Sequence, residues 1–103
     1  MYCVIFRFRL TDAPNAEARF IKAWTGITEF FQNHAKAGAS RLHKDKDGSF
    51  VSYAEWSDVQ SYERSQEIDR TQDFIRHAVE WSEVCVPSEI IFEGELINNL
   101  AAS

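Results

Sequence analysis

The dipeptide Asp47-Gly48 constrains this chain more than any other feature. A tight hairpin turn needs positive φ, which Gly adopts freely and Asp tolerates. On either side of "DKDG" runs a short alternating segment, Ala39 to Lys44 and Ser49 to Trp56. These are expected to be antiparallel neighbours in a sheet. Everything else in the fold has to be compatible with that hairpin.

Two further strands are readable. Along Tyr2 to Leu10, Tyr2, Val4, Phe6, Phe8 and Leu10 share one face, and Cys3, Ile5, Arg7 and Arg9 the other. A final strand is expected over Ser88 to Asn98, "SEIIFEGELIN". Between the first strand and the hairpin lies an amphipathic helix. Asp12 or Asn15 is its N-cap, Phe20, Trp24, Ile27 and Phe31 form its apolar stripe, and Gly38 is its terminator. Gly26 inside it costs about 1 kcal/mol relative to Ala, and it either permits a close approach to a sheet or ligand or is simply tolerated. After Trp56, "SDVQ" reads as a capping box with Ser57 as cap and Gln60 reaching back. "DRTQ" (Asp69 to Gln72) opens a third helix in the same style. That helix carries Phe74, His77, Ala78, Trp81 and Cys85 on one face and stops at Pro87.

The order βαββαβ, with the second α a helical pair, predicts a ferredoxin-like α+β sandwich: one four-stranded antiparallel sheet with helices on one face. With 103 residues the expectation is one domain over residues 1–103. The helices cover only one side of the sheet, so dimerisation through the other side, into an α+β barrel, is expected. Eight Phe, three Tyr and three Trp are a large aromatic content for so short a chain. They imply a core completed by a partner subunit, a flat apolar pocket, or both.

Charge and cysteine usage exclude several classes. A net charge of −5 disfavours nucleic acid and anionic membrane as partners. No run of 18 apolar residues exists to span a bilayer. "MYCVIFRFRL", broken by Arg7 and Arg9, reads as a strand rather than a signal peptide. Cys3 and Cys85 lack metal or redox spacing, so a reducing, cytoplasmic setting is expected. The three His are scattered over different elements, no His/carboxylate pair shows ligand spacing, and no metal is expected. There is no nucleophile elbow and no phosphate-binding glycine loop.

The opening "VIFRFRL", the hairpin "SRLHKDKDGSFVSYAEWSD" and the following "SYE" resemble the antibiotic biosynthesis monooxygenase domain family over roughly Tyr2 to Ile97. The resemblance rests on the order and length of the elements and on the "Y-A-x-W" strand end. It implies a dimeric α+β barrel with a pocket between sheet and helices. Some members of the family oxidise polycyclic aromatic phenols with neither metal nor flavin, relatives degrade haem, and others act on quinones. The haem degraders carry an Asn in the first strand, a Trp in the short second helix and a His in the third. Here His77 matches the last, but "YCVIFRFRL" has no Asn and "DVQSYERSQE" no Trp.

The resemblance directs attention to a few side chains. Trp56 ends its strand on the same face as Ser52 and Ala54, whose small size leaves room beside the indole. The alternative is that rings of the first helix fill that room as core. His77, on the apolar face of its helix, is the candidate general base, since a neutral imidazole accepts a phenol proton near neutrality; the alternative is a satisfied core histidine. With Trp24, Ser52, Phe74 and Trp81 as substrate-binding residues, His77 and Trp56 make up the expected site. Tyr53 and Glu55 point to the opposite face, towards the expected subunit interface. His43 near the turn reads as solvated, and His34 as a helix C-terminal cation. Arg7 and Arg9 are expected to form a ladder with Glu89, Glu93 and Glu95, which share one face of the last strand. The leading expectation is a homodimeric, cofactor-independent monooxygenase acting on an aromatic, quinol-type small molecule. The alternatives are a non-catalytic ligand-binding or stress-related relative and a haem binder without the degrading triad.

Overall fold

A computed structural model describes residues 1–100. The elements run β1 (Tyr2–Phe8), α1 (Ala16–His34), β2 (Ser40–Lys44), β3 (Phe50–Trp56), α2 (Val59–Ser65), α3 (Gln72–Val84) and β4 (Glu89–Glu95). They form one antiparallel sheet in the order β2-β3-β1-β4. This is the expected ferredoxin-like α+β arrangement. The hairpin closes as the dipeptide requires: Gly48 has φ +89°, its N–H bonds to the Asp45 carbonyl at 3.0 Å, and Asp45 N bonds to Ser49 O at 2.7 Å.

The inward face of the sheet is set by the register of its central pair. Tyr2 lies opposite Trp56, Val4 opposite Ala54, Phe6 opposite Ser52 and Phe8 opposite Phe50. Two buried clusters grow on that face. One holds Phe8, Phe20, Phe50, Val84 and Cys85; the other holds Tyr2, Val4 and Trp56. Phe6 packs against both. Between them the inward residues of β3 are Ser52 and Ala54, the two smallest side chains on the strand. A strand reading large, small, small, large on its core face leaves a gap in the middle unless the covering helix fills it.

Several local readings need correction. The cap of α2 is Asp58, whose carboxylate accepts from Ser61 N at 2.7 Å; Ser57 instead bonds to the Ser61 hydroxyl. Thr71 rather than Asp69 caps α3, accepting from Phe74 N at 3.1 Å. Asn15 stands at the N-cap of α1 with φ 56° but makes no side-chain cap bond. That helix ends at His34, close to the expected end near Lys36, but the left-handed residue that follows it is Lys36 rather than Gly38. Gly38 serves the sheet instead, donating its N–H to Glu55 O at 2.8 Å.

The Arg–Glu ladder is also redrawn. The pairing of β1 with β4 shifts between Ile5 and Phe6, leaving Ile91 as an extra residue. A bulge of one residue inverts the side-chain alternation beyond it. Glu89 therefore lies opposite Arg7, on the outer face, while Glu93 and Glu95 lie opposite Val4 and Tyr2 on the inner face. Arg9 reaches Glu89 at 3.9 Å and Asp47 at 3.8 Å, and Arg7 turns to Asp45 and Ser49 on the hairpin. Among the described residues, no helix is long and apolar enough to cross a membrane.

Candidate functional site

The gap between the two clusters is a cavity of about 170 Å³. Its floor is Phe6, Ser52 and Ala54, its end walls are Phe8 with Trp81 and Trp56 with Tyr62, and its roof is Trp24, Ile27, Thr28 and Phe31 of α1. Gln66, Ala37, Ser40 and Ser88 complete the rim. All three tryptophans of the chain line it. Residues of α1 that face the cavity remain half-buried, whereas Phe20, Ala23 and Phe30, which do not, are buried.

The end walls are held by aromatic packing. Trp56, 5% exposed, meets Phe31 edge-on at 6.0 Å and Tyr62 at 5.7 Å between ring centroids. At the other end, Trp81 stands edge-on to Phe8 at 5.1 Å and packs on Phe20 at 5.0 Å. Trp56 is thus packed into the core on one side and walls the cavity on the other.

Ser52 is the polar feature of the floor. It is only 3% exposed, and its hydroxyl makes no hydrogen bond to another side chain or backbone group among the described residues. Every fully enclosed side-chain nitrogen or oxygen among the described residues has a partner. The Ser52 Oγ is therefore not enclosed by protein; it opens on the cavity. Facing the cavity, that hydroxyl is free to bond to water or to a ligand oxygen there. Tyr62 supplies a second polar group. Burial, and next the charge of Glu93, push its phenol up, so it stays protonated and can donate at neutral pH. Apart from Tyr62, the lining holds no ionisable side chain.

Trp24, Ser52, Trp56 and Trp81 meet in this cavity; His77 and Phe74 do not. They line a second, polar groove of about 300 Å³ with Gly26, Glu29, Phe30, Asn33, His34, Thr71 and Asp73. The two spaces share no residue, and no strand residue lines the second. His77 therefore does not face Trp56. Its imidazole lies against Gly26 at the α1–α3 contact, so the glycine's close approach is to this ring and not to a sheet or ligand. Phe74 packs on Phe30 at 4.8 Å and on Phe31 at 5.9 Å, and so buttresses the roof from behind. Tyr62 and Gln66 are cavity residues the expected site omitted. Their signal was available in the spacing Val59, Tyr62, Gln66, three and four apart, which turns one face of α2 towards Trp56. Among the described residues, no group of three or more His, Cys, Asp or Glu side chains is placed to hold a metal ion.

With this geometry defined, the fold can be compared with solved structures. SnoaB, a cofactor-independent oxygenase from Streptomyces nogalater, superposes with a TM-score of 0.66 at 24% identity, over 97% of this chain and 94% of that one. The chain has the antibiotic biosynthesis monooxygenase fold. A structure described as an antibiotic biosynthesis monooxygenase matches with a TM-score of 0.66 at 18% identity, covering 95% of this chain and all of that one (100%). PA3566 from Pseudomonas aeruginosa matches with a TM-score of 0.67 at 18% identity, over 94% of each chain. No protein-family model and no curated protein sequence matches the chain.

Proposed function

We propose that the protein is a homodimeric, cofactor-independent monooxygenase of small aromatic phenols or quinols. The observation that carries this reading is the Ser52 hydroxyl that opens on the floor of an aromatic slot. It lies in a chain with the fold of a cofactor-independent oxygenase. The substrate ring lies between floor and roof, with its oxygen on Ser52 Oγ and the Tyr62 hydroxyl as second donor.

The lining offers no carboxylate, imidazole or amine to take the phenol proton. That proton leaves to water at the rim, and Ser52 and Tyr62 stabilise the phenolate by hydrogen bonds. A ring carbon gives one electron to dioxygen, and the phenoxyl radical and superoxide combine with formation of a C–O bond. Protonation yields a ring hydroperoxide. It loses the hydrogen on that carbon as a proton and hydroxide from the O–O bond. In sum, one phenol and one dioxygen give one quinone and one water. The slot's part is to orient the ring and exclude bulk water.

Air-saturated protein incubated with a panel of phenols and hydroquinones tests this, with oxygen uptake and quinone formation followed together. Turnover of at least one substrate is expected, reduced in Ser52→Ala and Trp56→Phe. The rate should rise with pH along the substrate's own ionisation, with no inflection at an imidazole pKa near ~6.5. No rate above buffer across the panel would refute the reading. The missing base favours a second reading, a binding protein for the same aromatics, which predicts saturable binding without oxygen uptake. Haem binding draws no support from the site, since His77 lies outside the cavity.

The homodimer is supported by the apolar residues on and beside the uncovered face. Phe92, opposite Ile5 on that face, is 51% exposed, and Ile91 and Leu96 beside it are 45% and 40% exposed. Light scattering that returned a monomer at micromolar concentration would overturn it. Cys3 and Cys85, both free thiols, fit a cytoplasmic location.

A further inference from the structure

We infer that the cavity selects an uncharged, single-ring aromatic carrying a hydrogen-bonding oxygen, and rejects both carboxylated aromatics and fused three-ring systems. The inference deepens the site proposed above and rests on it. It concerns binding, so it can be tested apart from turnover.

Size comes first. An apolar cavity of about 150 Å³ accommodates one benzene, and the space here is about 170 Å³. That leaves room for one ring with small substituents. The cavity cannot lengthen cheaply, because its ends belong to the two buried clusters: Phe8 is 3% exposed and Trp56 5%. Moving either would unpack core in a close-packed interior.

Charge comes second. No Lys, Arg or His side chain lines the cavity. Arg70 sits behind the roof, over the Phe31 ring at 5.2 Å. Its Nη1 is committed to the carbonyls of Ser65 and Ile68, and it does not reach the lining. Glu93 and Glu95, on the inner face of β4 opposite Val4 and Tyr2, make that end of the sheet negative. A carboxylate entering the slot would lose its hydration, find no partner and meet like charge. A phenol or quinone oxygen, by contrast, satisfies Ser52 Oγ without adding charge.

The three indole N–H resonances report occupancy directly, since every tryptophan of the chain lines this cavity. Titrations of the full chain under nitrogen compare four probes: methylhydroquinone, 2,5-dihydroxybenzoate, a three-ring anthrahydroquinone and toluene. Methylhydroquinone is expected to give saturable shifts. The carboxylated probe should bind at least ~100-fold more weakly, and the three-ring probe at least ~10-fold more weakly. Ser52→Ala should weaken methylhydroquinone by ~5-fold and leave toluene unchanged. Dihydroxybenzoate binding within ~3-fold of methylhydroquinone, or equal affinity for the three-ring probe, would overturn the inference. So would the absence of any saturable shift. If the expected order is found but oxygen uptake is nil, the monooxygenase reading fails while the selectivity stands.

Discussion

Replacing Gly26 by Ala should have opposite effects on stability depending on what stands at position 77. A Cβ built on Gly26 falls on the His77 imidazole, overlapping Nε2, Cδ2 and Cε1, and the helix cannot move without disturbing the α1–α3 contact. Overpacking of this kind costs about 1–3 kcal/mol. Against it stands the gain of about 1 kcal/mol for Ala over Gly inside a helix. The imidazole is half-buried and can turn into the adjoining groove, which places the clash in the lower half of its range. In the parent chain, Gly26→Ala should therefore destabilise by up to about 1 kcal/mol. In His77→Ala there is no ring to strike, and the same substitution should stabilise by about 1 kcal/mol. Urea unfolding of the four proteins at one fixed protein concentration measures both, and melting temperatures should move about 4–8 °C per kcal/mol. A coupling energy below about 0.5 kcal/mol, the scatter of independent sites, would refute the contact. His77→Ala alone should leave oxygen uptake and ligand affinity unchanged, because the ring belongs to the other groove. A loss of turnover at intact stability would show that the ring does reach the substrate.

Filling the cavity should separate ligand binding from folding. Ala54→Leu places a larger apolar side chain on the floor, so stability should change by less than about 1 kcal/mol while the ligand-induced indole shifts disappear; retained binding would place the ligand elsewhere. Arg70→Ala removes a guanidinium that lies over the rings of Phe30, Phe31 and Phe74 at 5.7, 5.2 and 4.8 Å and bonds two carbonyls. A loss of about 1–2 kcal/mol in urea unfolding is expected, with Lys a poor substitute because it lacks the planar fork; full rescue by Lys would contradict the stacking argument. Asp47 and Asp58 are held below the ordinary carboxylate range, Asp47 mainly by bonds from Ser49 and Asp58 by those from Ser61. Their contribution is fully present above the unfolded value of about 3.8 and is lost as pH falls through the lower folded value. Asp47→Asn and Asp58→Asn should accordingly flatten the acid limb of the stability curve, and an unchanged limb would count against these bonds.

The fold was legible because strand alternation and helical stripes both survive in the sequence, and the Asp47-Gly48 turn leaves one pairing for β2 and β3. Legibility stops where two local solutions are nearly equivalent. At the start of α2, Ser57 has Gln60 three residues on and Asp58 has Ser61; both are good caps, and only the way the chain leaves β3 decides for Asp58. In β4, Ile90 and Ile91 are both apolar, so the alternation does not betray the extra residue that turns Glu89 away from Glu93 and Glu95.

His77 is the instructive case for the site. A period of 3.6 locates the buried arc of α3 correctly, but that arc faces two neighbours at once. Trp81 meets Phe8 of the sheet, whereas His77 and Phe74, one and two turns earlier, meet α1. Periodicity reports that a side chain is turned inward and carries no information on which neighbour it meets. Glycine supplies that information: Gly26 costs helix stability on α1, and the close approach that offsets this cost is made by His77. The same logic reads the cavity. Ser52 and Ala54 between Phe50 and Trp56 say that β3 leaves a gap, and Trp24 and Phe31 say that α1 has rings to fill it. Whether they do depends on how far those rings stand off the sheet. That distance is set by the thickness of the two clusters at either end, a property of the packed molecule and not of any one segment.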